Sequence, residues 1–183
     1  MKYSTLFGKT SKTEGSDLTI DSHRLLVQAG FIRESTAGRY YLLPLGLKVH
    51  EKITQIVRKH MEKESAQEVV MPVLHPLELW KETNRTTTTG FELMKIKDRR
   101  AAEFVLGGTA EEMAVDLVRK FNLSYRDLPF NIYQFSMKFR DETRARGGLL
   151  RVREFVMKDG YSFSTEEQFK EIYQQMWNAY SNI

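Results

Sequence analysis

The 183-residue sequence predicts an α+β domain, an antiparallel sheet with helices on it, and three observations carry that prediction. Strand-like and helix-like segments mix along the chain without a βαβ rhythm. Two long segments, residues 45–61 and 164–180, repeat apolar residues at the helical period of 3.6. Between them lie paired strand-like runs joined by short polar turns, the connection that antiparallel neighbours use.

Composition bounds what such a domain can do. With 41% hydrophobic and 28% charged residues the chain reads as one globular domain over 1–183 with a core of its own. No apolar run approaches the roughly 18 residues of a membrane helix, and the polar opening MKYSTLFGKT has no signal-peptide pattern. A cytoplasmic protein with no membrane partner is the expectation. The lack of cysteine excludes disulfides, thiolate zinc sites and cysteine nucleophiles, and His23, His50, His60 and His75 show no metal-ligand spacing, so no metal site is expected. A net charge of +4 suits a nucleic acid or polyphosphate partner, and suits plain solubility equally well.

The elements follow in order. Residues 1–20 are polar and read as an extended arm. Asp21-Ser22 can cap a short helix carrying Leu25, Leu26 and Ala29, stopped by Gly30. Residues 38–43 read as a short strand or hairpin arm. Pro44 and Gly46 open a long helix with Leu45, Val49, Ile53, Ile56, Val57 and Met61 on one face. Residues 68–71 form a strand ended by Pro72, and a short helix starts near Pro76. The run 84–90, with its four consecutive threonines, has no helical or packing logic and reads as a mobile loop. Residues 93–97 and 103–106 are strands joined by Asp98-Arg99-Arg100, the second broken by Gly107-Gly108. Strands follow at 132–142 and 151–159, then a helix at 164–180 with Ser164 and Glu167 as a capping box and Phe169, Ile172, Tyr173, Met176, Trp177 and Tyr180 on one face.

The stretch FRDETRARGGLLRVREFVMKDGYSF, residues 139–163, carries five arginines in 25 residues. Alternation puts Tyr133, Phe135, Met137 and Phe139 on one face, and Gln134, Ser136, Lys138, Arg140 and Glu142 on the other. On the return strand Arg151, Arg153, Phe155 and Met157 share a face. Guanidinium groups fork onto phosphate oxygens, an aromatic ring stacks on a planar base, and a carboxylate accepts from an exocyclic amine. That pattern describes a nucleotide site. It also describes an exposed hairpin whose arginines pair with Asp141, Glu142, Glu154 and Asp159, and periodicity leaves both open.

Resemblance says more. Phe139-Arg140-Asp141-Glu142, the loop, Arg151 to Phe155 and the run Met157 to Phe163 closely resemble motif 2 of class II aminoacyl-tRNA synthetases, in the form used by bacterial-type prolyl-tRNA synthetases. Ser22 to Leu26, Ala29 to Arg33, Leu43 to Leu47, Gln67-Glu68, Met71 to Leu74, Glu92 to Met94, Lys97 to Arg99 and Phe104 to Gly107 look like the same family in the same order, so the resemblance covers essentially the whole chain. It implies a class II catalytic domain, in the family a six-stranded antiparallel sheet, that activates proline with ATP, with Mg2+ assisting, and passes it to tRNA(Pro). Arg140 would then hold the α-phosphate and the proline carboxylate, Glu142 the adenine amine and Arg151 the γ-phosphate, while Phe155 would stack on the adenine.

Thr109-Ala110-Glu111-Glu112 opens a helix bearing Met113, Leu117, Val118 and Phe121, and Thr109 with Glu112 reads as a capping box. In the family's pattern Thr109 and Glu111 would instead bind the proline imino group, with alanine standing here where serine or histidine is usual between them. Gly108 stands where many relatives have proline, and Ala145 and Gly147-Gly148 depart from the commoner motif 2 loop. The helix from Leu45 to Met61 with the strand ending at Pro72 resembles motif 1, which implies a homodimer through that region; the same stripe would also serve to pack on the sheet. The resemblance covers motifs 1 and 2, and motif 3 is expected downstream, so the chain reads as part of a synthetase or as a stand-alone relative. A non-catalytic dimerisation or tRNA-binding paralogue is the alternative. Threonyl enzymes, the nearest enzymatic rivals with seryl and glycyl ones, would normally bring zinc ligands that a cysteine-free chain is harder put to supply.

Overall fold

The computed structural model describes residues 2–86 and 93–183, which divide into two compact units. The first comprises residues up to Thr54 with Glu142–Phe155, and the second Gln55–Asp141 with Val156–Ile183. Among the described residues no helix is long and apolar enough to cross a membrane.

In the first unit, helix α1 (Asp21–Gln28) leads into the antiparallel hairpin of β1 (Ile32–Thr36) and β2 (Arg39–Leu42), with Ile32 opposite Leu42. The helix starts without a side-chain cap: Ile20 is its N-cap residue, and Asp21 pairs with Arg24 one turn on. Gly30 has φ +71° and lies against the Gly8 backbone, so only a residue lacking Cβ fits that close approach. Residues 2–20 are tied to the unit by Ser11, whose N–H donates to the Gln28 carbonyl, and by buried Leu6.

Helix α2 (Pro44–Lys63) forms where the 3.6-residue stripe places it, but only its end is deeply buried. Met61 is 1% exposed and packs with Ala66, Tyr133 and Ala179, whereas Val49, Ile53 and Ile56 are 43–56% exposed. The stripe therefore does not simply pack on the sheet; half of it faces outward.

The second unit holds two three-stranded sheets. In one, β3 (Gln67–Glu68), β7 (Phe130–Phe139) and β8 (Glu154–Phe163) lie in that order, and β3 runs parallel to β7. In the other, β4 (Leu74–Pro76) and β5 (Met94–Lys97) flank β6 (Glu103–Leu106), both antiparallel to it. Among the described residues the strands are thus shared among three small sheets rather than joined in a six-stranded one. β3 is shorter than the expected 68–71 strand because the Met71 N–H leaves the ladder and donates to the Gln134 side-chain oxygen. β7 ends at Phe139 and β8 begins at Glu154, so Arg140, Glu142 and Arg151 lie outside the strands on which alternation placed them. β7 is moreover covered on both faces. Gln134 and Lys138, expected on a polar row, are each 1% exposed, because Asp159 supplies their partner from β8.

Helices α3 (Leu77–Glu82), α4 (Glu111–Arg119) and α5 (Phe169–Ser181) complete the unit. α5 starts later than expected, and no Ser164 capping box forms. The Gln168 side chain takes that place, accepting from the Thr165 N–H and donating to the Leu128 carbonyl. Of its apolar face Ile172 is buried, whereas Phe169, Tyr173, Trp177 and Tyr180 are exposed. Arg58 on α2 forks onto Glu68 through Nε and Nη2 at 2.6 and 3.1 Å, tying helix to strand.

Trp80, fully buried on α3, donates its indole N–H to His75 Nδ1 at 3.3 Å with the rings stacked. The His75 ring lies so close to Gly107 that a Cβ there would sit 2.2 Å from it, which is why glycine ends β6. Burial, then the nearby Lys138 charge, pushes the His75 pKa down to about 4, and a neutral ring is what accepts the Trp80 hydrogen bond. A folded pKa below the unfolded one means that the unfolded chain binds the extra proton first. The stability contributed is complete above about pH 6.5 and falls away toward pH 4, by roughly 3 kcal/mol from this residue. Urea unfolding across that window should show the slope in the wild type, and His75→Gln, which keeps an acceptor but does not titrate, should flatten it; an unchanged slope would remove His75 as its source.

Candidate active site

The start of α4 is built by hydrogen bonds rather than by a cap. Ala110 is the N-cap residue and makes no side-chain cap bond, so the Thr109/Glu112 capping box does not form. The Thr109 hydroxyl donates to Glu111 Oε2 at 2.6 Å, and Glu112 turns into the protein, its side chain 1% exposed. The pair that resemblance singled out is therefore in direct contact. Glu111 keeps about half of its side chain in solvent.

Arg85 reaches both carboxylates, with Nη1 at 3.0 Å from Glu111 Oε2 and 3.0 Å from Glu112 Oε1. The Thr83 hydroxyl also donates to Glu112 Oε1, at 3.1 Å. The 84–90 run is thus not a featureless loop where it is described. The Arg85 N–H donates to the Trp80 carbonyl, and its guanidinium lies 5.3 Å from the Trp80 ring centre. Residues 87–90 of that expectation fall outside the described residues. Burial works against ionising Glu111, but hydrogen bonds from Thr109 and Arg85 outweigh it and hold the carboxyl below its ordinary range.

Behind this segment the Tyr161 hydroxyl accepts from the buried Ala110 N–H at 3.0 Å and donates to Asp159 Oδ2 at 2.5 Å. Burial, then the Asp159 hydrogen bond, pushes the phenol far above its usual range, so it remains a donor. Lys138 Nζ lies 3.4 Å from the same Asp159 oxygen, and its pKa is lowered by burial. Arg140, just past the end of β7, has Nη2 3.5 Å from the Gly108 carbonyl, which brings it beside the Thr109 segment. Sequence reasoning missed Arg85, Tyr161 and the Lys138-Asp159 pair. Alternation put Lys138 on a polar row, and nothing local in the sequence marked Arg85 or Tyr161.

In the first unit Glu142 and Arg151 pair directly, Arg151 Nε and Nη2 standing 2.9 and 2.6 Å from Glu142 Oε2. In this pair both arginine and carboxylate lie within residues 139–163, whereas Glu154 stands 3.8 Å from Arg39 and Asp159 pairs with Lys138. Arg153 instead donates to backbone, to the Glu142 carbonyl at 2.9 Å and the Ala37 carbonyl at 2.6 Å, and fastens the segment to the β1–β2 turn. Arg146 and Arg151 close the loop as an antiparallel bridge, with Gly147 and Gly148 at positive φ inside it. Phe155 lies half-buried at the start of β8.

Comparison with known proteins supplies the context for these residues. A family model described as tRNA synthetase class II core domain (G, H, P, S and T) matches residues 94–183. The proline-tRNA ligase of Sulfurihydrogenibium sp. (strain YO3AOP1) is 54% identical over 100% of this chain and 33% of its own length. That of Bacillus cereus (strain B4264) is 50% identical, over 100% of this chain and 32% of its own. Among solved structures, prolyl-tRNA synthetase from Cryptosporidium parvum, complexed with L-proline and AMP, aligns at TM-score 0.72 and 21% identity, over 86% of this chain and 32% of that one. Giardia lamblia prolyl-tRNA synthetase in complex with prolyl-adenylate gives 0.73 and 22%, over 81% and 31%. The solved structures speak to the fold: helices and antiparallel sheets of a class II catalytic domain. The chain spans about a third of the length of the curated relatives it matches.

The geometry behind Ala110 can be tested alone. Tyr161→Phe leaves the Ala110 N–H without its acceptor at a position that is 0% exposed. It should cost about 1–3 kcal/mol in urea unfolding; a loss near zero would mean that the hydroxyl does not hold the segment.

Proposed function

The chain belongs to the proline-tRNA ligase family of class II aminoacyl-tRNA synthetases, and from that premise we propose that it supplies the proline-binding and part of the ATP-binding machinery of such a ligase, working in the cytoplasm. The reaction would join proline to ATP as prolyl-adenylate and then pass it to tRNA(Pro). In the first step a proline carboxylate oxygen attacks the α-phosphorus in line, the bond from that phosphorus to the bridging oxygen breaks, and pyrophosphate leaves with the electron pair. No side-chain nucleophile is required. Rate comes from positioning and from stabilising charge on the transferred group.

The observation that carries this reading is the Thr109-Glu111 contact at 2.6 Å, with the carboxyl held ionised. A secondary amine that is cationic at neutral pH is matched by a carboxylate already charged and oriented, which is the role proposed for Thr109 and Glu111. Arg140, beside Gly108, is proposed to bind the proline carboxylate and the α-phosphate, and is the residue assigned to catalysis. Glu142 is proposed to receive the adenine amine, Arg151 the γ-phosphate, and Phe155 the face of the adenine ring. Class II synthetases use ATP as substrate, and Mg2+ is expected to accompany it. Among the described residues no group of three or more histidines and carboxylates could hold a metal, so the chain's own donor set does not fit a metal cage and no step is derived through the ion.

The exposed Val49, Ile53 and Ile56 on α2 support a homodimer through this helix, since an apolar stripe left in water is matched by a second copy of itself under two-fold symmetry. Ile53→Glu should shift the protein that carries this chain from dimer to monomer in sedimentation velocity; a dimer unaffected by the charge would place the interface elsewhere. Arg140→Ala should abolish calorimetric binding of a non-hydrolysable prolyl-adenylate analogue while changing stability by less than about 1 kcal/mol. Retained binding would defeat the proposed role, and a large stability loss would return Arg140 to a structural one.

A further inference from the structure

Resting on the reading that Glu111 holds the substrate's cationic nitrogen, we infer that Arg85 is a positioning residue that fixes the Glu111 carboxylate and thereby sets affinity for proline. Glu111 and Glu112 are adjacent on the first turn of α4, and Nη1 of Arg85 stands 3.0 Å from an oxygen of each. Two neighbouring carboxylates repel, and one guanidinium between them answers both charges. Arg85 is itself held: its N–H donates to the Trp80 carbonyl, its guanidinium lies over the ring of a fully buried tryptophan, and its second carboxylate, Glu112, is buried and also accepts from Thr83. This anchoring distinguishes it from an exposed surface arginine, whose ion pair would direct nothing.

The arrangement divides the labour of the Glu111 carboxylate. Oε2 takes both Thr109 at 2.6 Å and Arg85 at 3.0 Å, and about half of the side chain stays in solvent, which leaves the carboxylate open to a ligand cation. Beside the pair lies a cavity of about 120 Å³ lined in part by Leu79, Val115 and Arg119. Without Arg85 the carboxylate has room to turn into it, toward the Arg119 charge and away from Thr109.

The test is pyrophosphate exchange by the full-length protein that carries this chain, with KM measured separately for proline and ATP. Arg85→Met should raise the proline KM roughly tenfold or more, keep the ATP KM within about twofold, and be partly rescued by Arg85→Lys. Because Arg85→Met also strands buried Glu112, Arg85→Met with Glu112→Gln removes that charge; its proline KM should stay high although its stability recovers. In a Glu111→Gln background Arg85→Met should change the proline KM no further. A normal proline KM in the Arg85→Met, Glu112→Gln protein, or an equal further loss in the Glu111→Gln background, overturns the inference. A Glu111→Gln protein with unchanged proline KM would instead overturn the reading on which it rests.

Discussion

One buried carboxylate oxygen organises the larger unit. Oδ2 of Asp159, on a residue 8% exposed, receives the Tyr161 hydroxyl at 2.5 Å, Gln134 Nε2 at 3.4 Å and Lys138 Nζ at 3.4 Å. A charge so placed is tolerated only when partners are brought to it, and two of the partners here are committed elsewhere as well. Gln134 turns its oxygen to the Met71 N–H and settles the chain beyond β3. Tyr161 accepts from Ala110 and settles the start of α4. The segment proposed to bind substrate is thus located by buried polar chemistry, and the absent helix cap is its visible consequence.

The adjacent carboxylates of α4 show how one turn of helix can give the same side chain two fates. Successive residues on a helix point about 100° apart, so when Glu112 faces Thr83 and the interior, Glu111 faces the solvent side. Burial removes Glu112 from any contact with a ligand and makes it a fixed acceptor. Glu111, about half exposed, gives Oε2 to Thr109 and Arg85 and keeps its carboxylate on the solvent side. The asymmetry rests on geometry and not on residue type, which is why the spacing of Thr109 and Glu112 suggested a capping box that the structure does not contain.

Much of the fold was legible because its cause is local. Helix α2 follows from a 3.6-residue stripe, the β5–β6 pair from two short runs around Asp98, and the end of β6 from its glycines. What was not legible depends on residues far apart in the chain. Alternation assigned Gln134 and Lys138 to solvent because it cannot see Asp159, 25 and 21 positions away, and burial on both faces of β7 follows from that one partner. The α5 stripe has the right period, yet periodicity does not say how much of a face is covered, and four of its aromatics remain exposed. For the site, Thr109, Glu111 and Arg140 were named from motif resemblance and lie close together in the larger unit. Arg85 was invisible because its partners, two carboxylates and an indole, are joined to it only by the fold.

The Glu142-Arg151 pair bears on what residues 142–151 can do when free. Arg151 keeps about half its side chain in solvent although Glu142 is largely covered, and a pair screened on one side contributes on the order of 1 kcal/mol. That is small beside the attraction of a guanidinium for a polyphosphate, so such a ligand could separate the two at little expense. Until then each charge has a partner, and Arg153, fastened to the Ala37 and Glu142 carbonyls, keeps the segment in place while the pair opens. On the proposed reading the two partners part toward opposite ends of one ligand, the arginine to phosphate and the carboxylate to an amine. The ion pair that first suggests a merely solvated hairpin then joins the two residues that would divide ATP between them.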